Sequence, residues 1–129
     1  MHILSKPGRI VVDFVALVQV GISIIEISFW KNPVIYVHLN NLFSADVAIK
    51  ATPIVANAGL YNGFVATGLV WGLLSRGNHT SINAFFLICV IVAGVFGSVT
   101  LRSGVPLVLQ TVPAVVALLL VSLWRIKQK

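Results

Sequence analysis

The sequence of 129 residues is poor in charge, because Asp, Glu, Lys and Arg together make up only 9% of it. Soluble domains carry about 25% charged residues, and a small soluble domain needs many polar groups to cover its large surface. Here 58% of the residues are apolar. The composition argues against a soluble enzyme, a soluble nucleic-acid-binding protein and a disordered protein, and it predicts an integral membrane protein.

Cysteine and histidine are also scarce, which limits the metal chemistry open to the chain. A single thiol, Cys89, forms neither an internal disulfide nor a metal cluster, and we interpret it as a small buried apolar residue. His2, His38 and His79 lie at the terminus or in predicted loops on different sides, so the sequence predicts no metal site and no cofactor. The nine Lys and Arg residues are scattered, which argues against a nucleic-acid-binding face.

Stretches without charged residues mark the predicted transmembrane helices. No Asp, Glu, Lys or Arg occurs in residues 51–75, 77–101 or 103–124, and each stretch can hold the roughly 20 residues that cross a bilayer core. The first apolar run is equally long, although it contains Asp13 and Glu26. We predict an all-α, single-domain bundle of four transmembrane helices. They lie at about residues 10–30, 53–74, 83–101 and 105–124, and the second helix has residue 45 as an alternative start.

The distribution of Lys and Arg predicts the topology. Four spans place both termini on one side, and that side carries six of the nine basic residues. The positive-inside rule therefore predicts a multi-pass protein of the cytoplasmic (inner) membrane with both termini in the cytoplasm and residues 31–52 outside. Within this external loop Ser44 has the character of an N-cap with Asp46 in the first turn, so helix two is expected to begin near Ala45.

Polar residues inside a span are costly unless they are paired or face a cavity. In helix one Gln19, Ser23 and Glu26 fall on one narrow stripe, which we expect to point into the bundle. Val12, Ala16 and Trp30 share this stripe. Glu26 has two interpretations: a proton-binding, cation-binding or ligand-anchoring group, or a residue near the outer end that snorkels or bonds a neighbouring helix.

The second helix carries three further polar residues at the same predicted depth. Asn57 and Tyr61 are four apart and share a face, whereas Asn62 lies about 140° from Asn57 and suits a bond across a helix contact. Gln110 of helix four also lies in the outer half. We therefore predict a polar pocket that opens outward or into the outer leaflet; the alternative is a closed polar network that fixes helix register.

Small residues and prolines indicate how the helices pack. Gly59 and Gly63 form a GxxxG pair, as do Gly68 and Gly72, and we expect close packing within the chain, with a homodimer as the alternative. Pro106 and Pro113 would bend helix four and free backbone carbonyls. The candidate ligand-binding residues are Glu26, Asn57, Tyr61, Gln110, Asn62, Gln19 and Trp30, and no catalytic residue is assigned.

Several of these residues occur in segments that resemble a small bacterial membrane family, domain of unknown function 1304. The resemblance covers about residues 5–122 and is most specific in helix two, from Asn57 to Phe64 and from Gly68 to Leu74; helix one with Glu26 and Trp30, residues 86–94 and the Gln110-x-x-Pro113 motif also fit. It implies a four-helix membrane protein without an agreed activity, with Glu26, Asn57, Tyr61, Asn62 and Gln110 as its polar positions. This chain departs from the family at Gln19, where many members are expected to have His, at Pro53, and around Tyr36–Phe43.

Three functions compete at this point. The first is binding or transport of a small amphipathic compound or lipid through the outer-half pocket, as a monomer or a dimer. The second is a structural or accessory membrane subunit in which the polar residues hold helices together. The third is a membrane-embedded enzyme with Glu26 and Tyr61 as an acid/base pair. The sequence favours the first.

Overall fold

The computed structural model describes residues 4–35 and 44–127. The poorly matching loop Tyr36–Phe43 lies outside the described residues, as do His2 and His38. The described chain consists of helices and their connections, and four of the helices are long and apolar enough to cross a membrane. This confirms the prediction of an all-α protein with four membrane-spanning helices.

Two of the four helices change their winding at one end. Helix α1 is α-helical over Lys6–Ile24 and continues as a π-helix over Ile25–Phe29. Helices α2, Ala45–Leu74, and α3, His79–Thr100, are α-helical throughout. Helix α4 begins with a π-helix over Leu107–Thr111 and continues as an α-helix over Val112–Lys127.

The helix ends follow from local hydrogen bonding. The Ser44 hydroxyl accepts a hydrogen bond of 3.4 Å from the Val47 amide, so the predicted N-cap and the start of α2 at Ala45 are confirmed. Helix α3 begins four residues before its predicted start, because residues 79–82 continue the helix. His79 was expected in a loop. It lies instead in the first turn of α3, where it is buried.

The helices form a closed ring, because each packs against its neighbours in the chain and α4 packs back on α1. The ends of α1 and α3 and the starts of α2 and α4 meet at one end of the ring, called here the Trp30 end; the opposite end is the His79 end. Small and branched apolar side chains fill the centre, including Val12, Val15, Leu69, Leu87, Val90, Ala114, Ala117 and Val121. Large apolar side chains cover the outside, as expected of a bundle that faces lipid.

Glycines of α2 and α3 allow neighbouring helices to approach closely. A Cβ atom on Gly59 would lie 2.9 Å from the Cβ of Glu26, and one on Gly63 would lie 3.1 Å from the Ser23 hydroxyl. The Gly59–Gly63 pair of α2 thus packs against α1, which confirms the expected packing within the chain. Gly94 of α3 packs in the same manner against α4.

Candidate functional site

The acidic residue of the first span is held by a side chain of the second. Asn62 of α2 donates a hydrogen bond of 2.8 Å from Nδ2 to Oε2 of Glu26. The two side chains meet because Gly59 and Gly63 bring α2 against α1 at this level. Glu26 is half-buried, so its carboxyl group lies in the groove between the helices and not in the centre of the bundle.

A second polar pair joins the first helix to the fourth. Gln19 of α1 donates a hydrogen bond of 3.3 Å from Nε2 to Oε1 of Gln110 of α4. Gln19 is only 1% exposed and Gln110 is half-buried. Beside Gln110, the Thr111 hydroxyl donates a bond of 3.4 Å to the main-chain oxygen of Ile91. Gln19, Glu26, Asn62 and Gln110 are called the polar cluster below.

Both π-helical segments carry a member of the polar cluster. Glu26 lies in Ile25–Phe29 and Gln110 in Leu107–Thr111. A π-helical turn widens the backbone and redirects side chains, and such turns are frequent at functional sites. The second segment lies just before Pro113, whose missing N–H removes a regular helical bond, whereas the sequence offers no comparable signal at Glu26.

The narrow stripe of α1 points inward, as predicted. Val12, Ala16, Gln19 and Trp30 are buried, and Glu26 is half-buried. The exposed side of the helix carries large apolar residues, among them Phe14, Leu17 and Ile24.

The expected convergence of Asn57 and Tyr61 with Glu26 is wrong. Both residues are exposed, Tyr61 by 58%, and its ring packs edge-on against that of Phe64. The inward face of α2 is instead the one with Gly59 and Asn62, and Asn57 lies about 140° away from Asn62 around the helix. Asn57 and Tyr61 therefore belong to the outer surface of α2, near the level of Glu26.

Trp30 closes the Trp30 end of the bundle. Its side chain is 7% exposed and packs with Ala48, Ile35 and Val55. The indole Nε1 donates a hydrogen bond of 2.9 Å to the main-chain oxygen of Ala48. Trp30 thereby ties the end of α1 to the first turns of α2. Trp71, by contrast, is 59% exposed.

A buried polar residue that was not among the predicted site residues lies at the His79 end. Asn83 of α3 is 0% exposed, and neither atom of its amide has a hydrogen-bond partner. It packs against Gly72 of α2. The signal was available in the spacing, because Asn83, Leu87, Val90 and Gly94 form one buried helical stripe. The assignment of residues 75–83 to a loop concealed it.

An apolar layer separates Asn83 from the polar cluster. Val12, Leu69, Leu87 and Val90 are at most 1% exposed and belong to one continuous core. The polar groups at the two ends of the bundle are therefore not joined by a polar path through these residues.

Glu26 differs from the other two acidic residues in its partners. Asp46 pairs with Lys50 at 2.8 Å and Asp13 lies 4.0 Å from Arg9, all on exposed helix faces. In the described part of the chain Glu26 has no Lys or Arg partner within 4.0 Å. Its carboxyl group accepts a hydrogen bond from the neutral side-chain amide of Asn62. Among the described residues, no basic side chain neutralises this carboxyl group.

One family model, described as a protein of unknown function (DUF1304), matches residues 13–122. No curated protein and no solved structure matches the chain. Because the match spans far more than half of the sequence, the chain belongs to this family, and the resemblance seen in helix two is confirmed.

Proposed function

We propose that this member of the DUF1304 family is a membrane protein that binds a small amphipathic compound or lipid at the polar cluster. The observation that carries the proposal is the pairing of Glu26 with Asn62 and of Gln19 with Gln110, in the half of the bundle toward the Trp30 end. Embedded ionisable and polar groups are costly and mark functional sites more often than not.

The surroundings of Glu26 favour an amphipathic ligand. The carboxyl group lies in the α1–α2 groove, while the adjacent Ile27 and Phe29 are about half-exposed on the lipid-facing side. A ligand with a polar head and an apolar tail would place its head at Glu26 and its tail along these side chains. Asn57 and Tyr61 lie about 140° and 100° from Asn62 around α2 and face away from this groove, so they are not part of the proposed site.

Binding is better supported than an open channel. The apolar layer of fully buried side chains lies between the polar cluster and the His79 end. Passage of a polar head group would require this layer to separate, so transport would proceed through a conformational change around the site. We therefore propose transport only by a conformational change that separates the apolar layer, and not through an open channel.

The membrane and the orientation also belong to the proposal. The positive-inside distribution of Lys and Arg favours the cytoplasmic membrane with both termini inside. In that orientation the Trp30 end is external, and the polar cluster opens toward the outer leaflet.

Native mass spectrometry of the protein in mild detergent tests this function. The wild type is expected to retain a small molecule of defined mass, and Asn62→Leu is expected to lose it. Thr67→Val is the matched control, because Thr67 is an exposed polar residue of the same helix whose hydroxyl bonds the main-chain oxygen of Gly63. A wild type that carries no molecule, before and after incubation with membrane lipids, contradicts the proposal.

One observation favours a structural or accessory role as the second candidate. The side chains of the polar cluster bond each other directly, as interhelical polar contacts do when they serve only to hold helices together. In that case Asn62→Leu lowers stability, and no ligand is found in any variant. The acid/base pairing of Glu26 with Tyr61 has no such support, because Glu26 bonds Asn62 and Tyr61 lies on the exposed face of α2.

A further inference from the structure

We propose that the ligand head group at Glu26 is an organic cation, such as an alkylammonium group. This inference rests on the proposed function and narrows it from amphipathic compounds in general to amphipathic cations.

Charge pairing within the chain carries the first step. The two other acidic residues each have a basic side chain one helical turn away, Arg9 for Asp13 and Lys50 for Asp46. Glu26 is flanked in its helix by apolar residues and by Ser23 and Ser28, and its hydrogen bond in the described structure comes from a neutral amide. A carboxylate in apolar surroundings is stable only when an opposite charge or a proton joins it. The site is therefore complementary to a single positive charge.

Geometry carries the second step. The hydrogen bond from Asn62 occupies Oε2, so the second carboxylate oxygen remains for a ligand. Gly59 and Gly63 let α2 pack directly against α1 beside this group, and the half-buried position of Glu26 keeps its carboxyl group within reach from the groove. An ammonium head that reaches the groove would pair with this oxygen, whereas an anionic head would be repelled by the carboxylate.

The test compares probes that share a decyl tail and carry heads of different charge. Decyltrimethylammonium is matched by its neutral isostere, in which a quaternary carbon replaces the nitrogen, and by decyl sulfate as the anionic probe. The isostere has a tail of equal length, so its binding controls for the partition of the apolar chain into the membrane. Binding is measured on the full chain in nanodiscs of zwitterionic lipid, with native mass spectrometry to count bound molecules.

We expect the cation to bind wild type about tenfold more tightly than the isostere, the ratio that a partly desolvated charge pair of about 1.4 kcal/mol produces. Glu26→Gln keeps a hydrogen-bond acceptor for Asn62 and is expected to bind the cation and its neutral isostere equally. Asp13→Asn is the matched control, because it removes the exposed acid of the same helix and is expected to keep the tenfold ratio.

The outcomes separate this inference from the proposed function. Equal binding of cation and isostere to wild type overturns the cation inference and leaves the amphipathic site in place. A tenfold ratio that persists in Glu26→Gln also overturns it, because the charge then lies elsewhere. Absence of binding for every probe, together with an empty protein from cells, overturns both. If Glu26→Gln does not fold, the wild-type ratio and its retention in Asp13→Asn still decide the matter.

Discussion

Replacement of Gly59 by alanine tests the close contact on which the Glu26–Asn62 pair depends. The added Cβ would lie 2.9 Å from the Cβ of Glu26 and from Cγ1 of Ile27, and 3.1 Å from the main-chain oxygen of Ser23. Ordinary van der Waals contact begins at 3.4 Å, so α2 must move away from α1 by about 0.5 Å. A shift of this size forfeits about a quarter of the dispersion energy of each affected contact.

The expected cost follows from overpacking, which destabilises by about 1–3 kcal/mol. Gly21→Ala is the control, because Gly21 also lies within a helix but has no atom within 4 Å of the added Cβ. Both variants exchange a helical glycine for alanine, so they share the propensity gain of about 1 kcal/mol. The difference between them therefore isolates the contact between α1 and α2.

The free energies of unfolding are measured by SDS titration in mixed micelles, with circular dichroism as the signal. Gly59→Ala is expected to be less stable than Gly21→Ala by about 1–3 kcal/mol. Equal stability of the two variants would refute the reasoning, because it would mean that α2 does not approach α1 as closely as the structure shows.

Three further predictions use the same unfolding assay. Asn83→Leu is expected to raise stability by about 1–3 kcal/mol, since it removes a buried amide without partners; a loss of similar size would show that the amide is hydrogen-bonded in the membrane. Trp30→Phe is expected to cost about 1 kcal/mol through its lost hydrogen bond to the α2 main chain, while the exposed Trp71→Phe changes little, and equal effects would contradict the buried position of Trp30. A double-mutant cycle of Gln19→Leu and Gln110→Leu is expected to give a coupling of about 0.5–1.7 kcal/mol, and strictly additive effects would mean that the two amides do not interact.

The positions of the four helices and the inward face of α1 could be predicted from the sequence. Charge-free stretches of 20 residues or more leave little choice but a transmembrane helix, and Ser44 marked the start of α2 through its capping side chain. The stripe from Val12 to Trp30 was readable because its polar residues are confined to one narrow side, so only one rotation of α1 keeps them from lipid.

The rotation of α2 was not predictable in the same way. Its polar residues and glycines lie on several sides, with Asn57 and Asn62 about 140° apart, and in lipid an apolar face is equally suited to the core and to the outside. In the structure the face with Gly59 and Gly63 packs against α1, because close approach of the two helices needs small residues there. This choice brings Asn62 to Glu26 and leaves Asn57 and Tyr61 on the surface.

The winding of the helices adds a reason to place function at the Trp30 end. The two π-helical segments lie in α1 and α4, the two helices that the Gln19–Gln110 bond connects. A π-helical turn and a regular turn differ by one residue in their hydrogen-bond spacing, so conversion of Ile25–Phe29 to α-helix would rotate Glu26 relative to Asn62. The carboxyl group therefore lies on a π-helical segment, whereas Gln19 and Asn62 lie on regular α-helix, and the π-helical turn sets the direction in which Glu26 meets Asn62.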